Sequence, residues 1–221
     1  LEGTLSPVGG QQLSSIAMFE RDNQTWMVSG TLRQDSRSDC SVIIEVVGSD
    51  DQRTLPIHFD GIHSVAVDRT GQLALAGDSA GRISLVDINT AIHGRRWWYP
   101  ETIRRSWVGH TGRVYGLALT EDGRVAISAG EDGRLLRWDT DGVHDSLTLT
   151  AQRSGGRRWV HAAVASPDSI YLVEEIRPGE GETPQHLLYR WSPATDELAP
   201  IFDAATGEPL QLQPRTDRAA G

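Results

Sequence analysis

At 221 residues and 24.2 kDa, with 38% hydrophobic and 23% charged residues, the chain has the apolar content for a core and the size of one large domain or two small ones. All 21 basic residues are Arg, which excludes chemistry needing a Lys amine, such as a phosphate-loop lysine, a kinase strand lysine or a Schiff base. A formal charge of −9 disfavours general nucleic-acid binding, no apolar run reaches membrane-helix length, and a lone Cys40 rules out an internal disulfide or a cysteine-rich zinc site.

Residues 1–12 fit no strand pattern and read as a linker. From residue 13 the chain repeats itself. A first copy runs through Ile16, Met18 and Phe19, then Trp26 to Ser29, then Val42 to Ile44 and Val46. A second has Ile62, Val65 and Val67, a Thr70-Gly71 turn, Leu73 to Leu75, Gly81, and Ile83 to Asp87. An insert from Gly94 to Trp107 follows, crowded with Arg and Trp. The third copy is the clearest: Val114, Leu117 and Leu119, a Glu121-Asp122-Gly123 turn, Val125 to Ile127, a Glu131-Asp132-Gly133 turn, and a run ending at Trp138 and Asp139. The fourth has Val160, Val164 and Ala165, a Pro167-Asp168 turn, Ile170 to Val173, a loop from Ile176 to Gln185, and Leu187 to Trp191. Residues 205–221 read as a tail or the start of a further strand.

Short alternating runs separated by tight turns predict strands, with little room for helices. Four such copies, spaced by about 45 to 50 residues, predict an all-β fold, a β-propeller of about four four-stranded antiparallel blades over residues 13–204. A β-sandwich has similar strand content but does not require this self-similarity. Four blades leave two sheet faces uncovered, so the chain is expected to belong to a larger or shared ring. Self-association is one way to close that ring, and a compact four-bladed ring is another.

Gly109, His110, Trp138 and Asp139 carry the Gly-His and Trp-Asp pairs of a WD-repeat blade, and the third copy resembles that family closely. The resemblance implies a structural relay in which Trp138 donates to Ser128, Ser128 to His110 and His110 to Asp132. Ser, His and Asp also match the residue types of a catalytic triad, but a hydroxyl engaged by Trp138 inside a blade is not an available nucleophile, so no catalytic residue is assigned. The other copies depart from the pattern: Ala76, Ala80 and Val86 replace Ser, Asp and Trp in the second, and Ser192 follows Trp191 in the fourth.

The family resemblance implies a non-catalytic scaffold that holds a protein or peptide partner on its rim. Carried over by position, the rim residues are Arg113, Tyr115 and Glu131, with Trp159 and His161 in the next blade. The insert adds Arg95, Arg96, Trp97 and Trp98, and the connection before the fourth copy adds Arg153, Arg157 and Arg158. Two basic linkers on one face would favour an acidic partner. His58 and His63, read as one strand end, make a poor metal pair, and neither a metal nor a cofactor is expected. A propeller hydrolase or lyase would need carboxylates at matched channel positions, where only Glu174 and Glu175 stand; a carbohydrate-binding propeller rests on Trp content alone. The Arg-only composition suggests a bacterial source, and with no signal segment the expected location is cytoplasmic.

Overall fold

The computed structural model describes residues 12–32, 40–49, 52–58, 60–93, 101–141, 147–166, 169–179 and 182–212. These form four four-stranded sheets, each with its strands in chain order and antiparallel. Blade 1 holds β1 (Gln12–Arg21), β2 (Gln24–Leu32), β3 (Cys40–Val46) and β4 (Gln52–His58); blade 2 holds β5 (Ile62–Val67), β6 (Leu73–Asp78), β7 (Arg82–Asp87) and β8 (Ile103–Val108). Blade 3 holds β9 (Val114–Leu119), β10 (Val125–Gly130), β11 (Arg134–Asp139) and β12 (Leu147–Gln152); blade 4 holds β13 (Arg157–Ser166), β14 (Ser169–Ile176), β15 (Gln185–Ser192) and β16 (Glu197–Pro200).

The core lies in the seams between blades, because each sheet is apolar on both faces and can bury them only against its neighbours. Val28, Ile44, Ile62 and Ala74 meet between blades 1 and 2; Leu75, Ile83, Trp107, Leu117 and Trp138 between blades 2 and 3; Ile127, Leu135, Trp159, Leu172 and Trp191 between blades 3 and 4. The first strand of each blade packs on the first strand of the next, and no packing of similar weight joins β13 back to β1 among the described residues. The blades therefore form an arc around a groove of about 230 Å³ lined by Ser15 to Ala17, Val65 to Val67, Leu117 to Leu119, His161 and Ala162.

Two turn glycines are set by the seams. Gly81 and Gly133 have φ of +82° and +76°, and a Cβ on either would approach the backbone oxygen of His110 or Arg153 to 2.1 or 2.3 Å. Each turn is crossed by the connection that leads into the next blade, so only glycine supplies both the conformation and the clearance.

Three placements differ from the sequence expectation. The connection after β7 contains α1 (Ile88–His93), where Asp87 Oδ1 accepts the Thr90 N–H at 2.9 Å and Ile88 and Ala91 are buried. An N-capping Asp followed by a buried apolar pair nucleates this turn of helix. Arg104, Arg105 and Trp107 belong to β8, the outer strand of blade 2, rather than to an insert. Arg95, Arg96, Trp97 and Trp98 lie outside the described residues. His58 ends β4 and His63 follows the start of β5, so they occupy different blades. At the other end, residues 201–212 turn back through a Phe202–Pro209 bridge, and Gln211 bridges Leu187 of β15.

Candidate interaction site on the rim of blades 2 to 4

Blade 3 is organised by a buried chain of side chains. Trp138 Nε1–H donates to Ser128 Oγ at 2.8 Å, Ser128 Oγ lies 2.7 Å from His110 Nε2, and His110 Nδ1 lies 2.9 Å from Asp132 Oδ1. Because Ser128 accepts from Trp138, its single proton goes to His110 Nε2, which leaves the ring proton on Nδ1 facing Asp132. Asp132 also accepts the Thr111 and Arg134 N–H groups at 3.0 and 3.1 Å. Gly130 makes the arrangement sterically possible, since a Cβ there would come within 2.2 Å of His110 Nδ1. With Ser128 fully buried and its hydroxyl committed on both sides, the triad-like residue set has no access to a substrate.

Burial pushes the His110 pKa down from 6.5 against the opposing pull of Asp132, so the ring is held neutral. Burial alone would raise the Asp132 carboxyl, but the hydrogen bonds from His110 and the Thr111 and Arg134 amides bring it below its ordinary value. His63 is also lowered, by burial first and Arg113 second. The unfolded chain therefore takes up protons on both histidines that the fold resists, and this contribution to stability is present above pH 6.5 and lost as pH falls toward the folded pKa. Urea unfolding between about pH 5 and 8 should show stability rising with pH up to about 6.5, with a shallower rise in His110→Gln. An equal slope in the variant would mean that His110 is not a source of the effect.

Blade 4 departs from this plan at matched register. Trp138 pairs with Ala126 and Trp191 with Ile170, so Leu172 stands where Ser128 does and Glu174 where Gly130 does. Trp191 Nε1–H turns instead to Asp196 Oδ1 at 2.9 Å. The carboxylate of Glu174 is fully buried and accepts from Arg153 Nε at 2.8 Å and from Arg157 Nε and a terminal Arg157 nitrogen, both at 2.8 Å. Next to it, Glu175 Oε1 accepts from Arg158 Nε at 2.9 Å and Arg177 Nε at 2.6 Å, while His186 Nε2 lies 3.5 Å from its other oxygen. Burial would raise the Glu175 carboxyl, yet Arg177 and Arg158 hold it below its usual range. The Arg153 guanidinium lies 5.0 Å from the Trp159 ring centroid and 5.5 Å from that of Tyr189.

Three of the expected rim residues require correction. Trp159 is fully buried in the seam, edge-on to Tyr189 at 5.3 Å, because it begins the alternation that packs β13 on blade 3. Arg157 and Arg158 are strand residues bound to buried carboxylates, not free charges on a linker. Arg113, Tyr115 and Glu131 join His63 and Arg158 in a line across three blades. Ser79 Oγ lies 2.9 Å from His63 Nε2; the His63 and Tyr115 rings meet edge-to-face at 6.1 Å; the Arg158 guanidinium stands 5.2 Å from the Tyr115 centroid. Tyr115 O–H donates to Glu131 Oε1 at 3.4 Å, and Glu131 Oε2 accepts the N–H of the exposed Arg113 at 3.3 Å. His161 is exposed but lines the groove between inner strands rather than this line. Among the described residues no cluster of three or more His, Cys, Asp or Glu is placed to hold a metal, and no helix is long and apolar enough to cross a membrane.

Sequence reasoning left Glu174 and Glu175 as isolated channel carboxylates and passed over Gly130. The Glu pair could have been found by its spacing of 17 residues from Arg157 and Arg158 across a two-strand hairpin. Nothing local marks Gly130, whose constraint comes from His110.

This geometry defines a β-propeller repeat protein, four blades with a polar relay inside one of them. Residues 101–139, the outer strand of blade 2 plus three strands of blade 3, match the family described as "WD domain, G-beta repeat". The chain is similar to the small ribosomal subunit protein RACK1 of Candida albicans, 28% identical over 109 residues, covering 41% of this chain and 34% of that protein. It is also similar to the APC/C activator protein CDC20 of Saccharomyces cerevisiae, 27% identical over 125 residues, covering 56% and 17%. Among solved structures, the RRP9 WD40 repeats superpose with a TM-score of 0.64 at 15% identity, covering 91% of this chain and 54% of that one. A chain of the mitotic checkpoint complex superposes at 0.60 with 19% identity, covering 88% and 54%. The chain has the β-propeller fold, and its residues 101–139 carry a WD repeat. It spans about a third of the length of the RACK1 relative and about half of the solved chains.

Proposed function

We propose that the protein is a non-catalytic scaffold of bacterial, cytoplasmic origin that holds a protein partner against the rim of blades 2 to 4. The WD-repeat relatives support the scaffold class, and the Arg-only basic set supports the source. The observation that carries the site is the contact line from His63 through Tyr115 to Arg158, which places an aromatic ring and charged groups of both signs on one continuous edge. Half-exposed aromatics and arginines held in place by neighbours lose little entropy on docking, which is what makes such residues dominate interfaces.

Photo-crosslinking in cells of the source organism tests this. A benzoylphenylalanine at exposed Arg113 should give a discrete protein adduct, weakened by Tyr115→Ala, whereas one at exposed Arg69, beyond the opposite end of the inner strands, should not. The same adduct from both positions, or from Arg69 alone, would reject the rim assignment.

A further inference from the structure

We infer that a second copy of this chain closes the arc: the face of blade 4 turned away from blade 3 docks on the face of the other copy's blade 1 turned away from blade 2, and two such contacts join two copies into one ring. The inference stands apart from the rim assignment. It rests on what the two end blades carry at registers that the closed seams bury.

Pairing counted from the bulge in each first strand sets those registers. Ile16 and Met18 of β1 correspond to Val65 and Val67 of β5 and to Leu117 and Leu119 of β9. Val65, Leu117 and Leu119 are buried against the preceding blade, whereas Ile16 and Met18 are 46% and 57% exposed. Met27 and Ile43, on the same face, are already buried, so the opening follows the inner strand, the element through which each closed seam packs. At the other end of the arc, Tyr171 takes the place of Val28, Leu75 and Ile127, and Leu188 that of Val42, Ile83 and Leu135. In the closed seams these positions are fully buried against the following blade; Tyr171 and Leu188 are only partly buried.

Charge selects which face meets which. Ile44 and Val86 share the core between blades 1 and 2, and Leu85 and Trp138 share that between blades 2 and 3. By register, Arg190 stands where Ile44 and Leu85 do, and Glu45 where Val86 and Trp138 do. Neither has an ion-pair partner among the described residues. A blade 4 docked in the register of the other seams therefore sets the Arg190 guanidinium against the Glu45 carboxylate beside apolar side chains of both faces, while blade 1 on blade 1, or blade 4 on blade 4, would join faces of like charge. A head-to-tail contact repeats until it closes. The chain spans about half of the solved propeller chains, so two arcs make up one such ring.

Light scattering over a concentration series should give the mass of a dimer, and Glu45→Arg or Arg190→Glu should raise its dissociation constant at least about tenfold. Arg190 is exposed and Glu45 half-buried, so both variants should keep the circular dichroism of the parent. Mixing them is the decisive step. The mixed dimer has one parental contact and one with the charges exchanged, so it should form at parental concentrations while each variant alone stays dissociated. A monomer at every concentration would overturn the second copy as the occupant, and a mass above the dimer would overturn the closed ring. A dimer that neither variant weakens, or a mixture that does not recover, would overturn the pairing of blade 4 with blade 1.

Discussion

Glu174→Gln should lower the unfolding free energy by about 3 kcal/mol, the low end of the cost of removing one partner from a buried ion pair. The carboxylate is fully buried, while its partners Arg153 and Arg157 are 25% and 39% exposed, which lets water recover part of their solvation. Gln keeps the shape and one acceptor oxygen but not the charge, so two guanidinium groups that share one carboxylate would face each other uncompensated. The repulsion acts at the entry of β13, and blade 4 should loosen from blade 3 before the other seams open. Urea unfolding followed by the fluorescence of Trp159 and Trp191 against that of Trp138 would show this. A loss below about 1 kcal/mol would mean that the carboxylate is solvated in the working molecule.

The second large effect is at Trp138. Its indole is 2% exposed, tilted against Trp107 with ring centroids 5.5 Å apart, and its N–H is the first donor of the relay. Trp138→Ala should cost about 3 to 5 kcal/mol through the cavity between blades 2 and 3. Trp138→Phe retains most of the packing and removes the donor to Ser128, for an expected cost of about 1 to 2 kcal/mol. The difference between the two variants measures packing, and the Phe cost measures the polar chain. Equal costs for both would place the whole contribution of Trp138 in its hydrogen bond.

The relay, the blade count and the fold were legible because they are carried by spacing. Strands of period two and glycine turns are local or recur at fixed separation, so alternation and repeat length were enough to read about four blades, and the Gly-His and Trp-Asp pairs supplied the family resemblance that placed His110, Ser128, Asp132 and Trp138 in a relay. Even the losses in blade 2 could be read, since Ala76 and Val86 occupy registers known from blade 3.

Which side chains reach solvent was a different matter. Trp159 and Tyr115 both follow an arginine at the mouth of an inner strand, yet the first is sealed in a seam and the second half-exposed on the rim, because Trp159 lies opposite Glu174 as buried Val114 lies opposite Gly130, whereas Tyr115 falls in the bulge one residue further on. In the same way Arg157 and Arg158 read as a free basic linker until β14 set two carboxylates opposite them. Alternation along one strand says which residues share a face but not which neighbouring sheet covers it. Ion pairing between positions 17 residues apart exists only once β13 and β14 have paired, the clearance at Gly130 and Gly133 only once distant segments of blade 3 meet, and that at Gly81 only once blade 3 stacks on blade 2. The fold was therefore written in short-range periodicity, while exposure and net local charge, on which partner binding depends, were decided by strand pairing and by contacts across the seams.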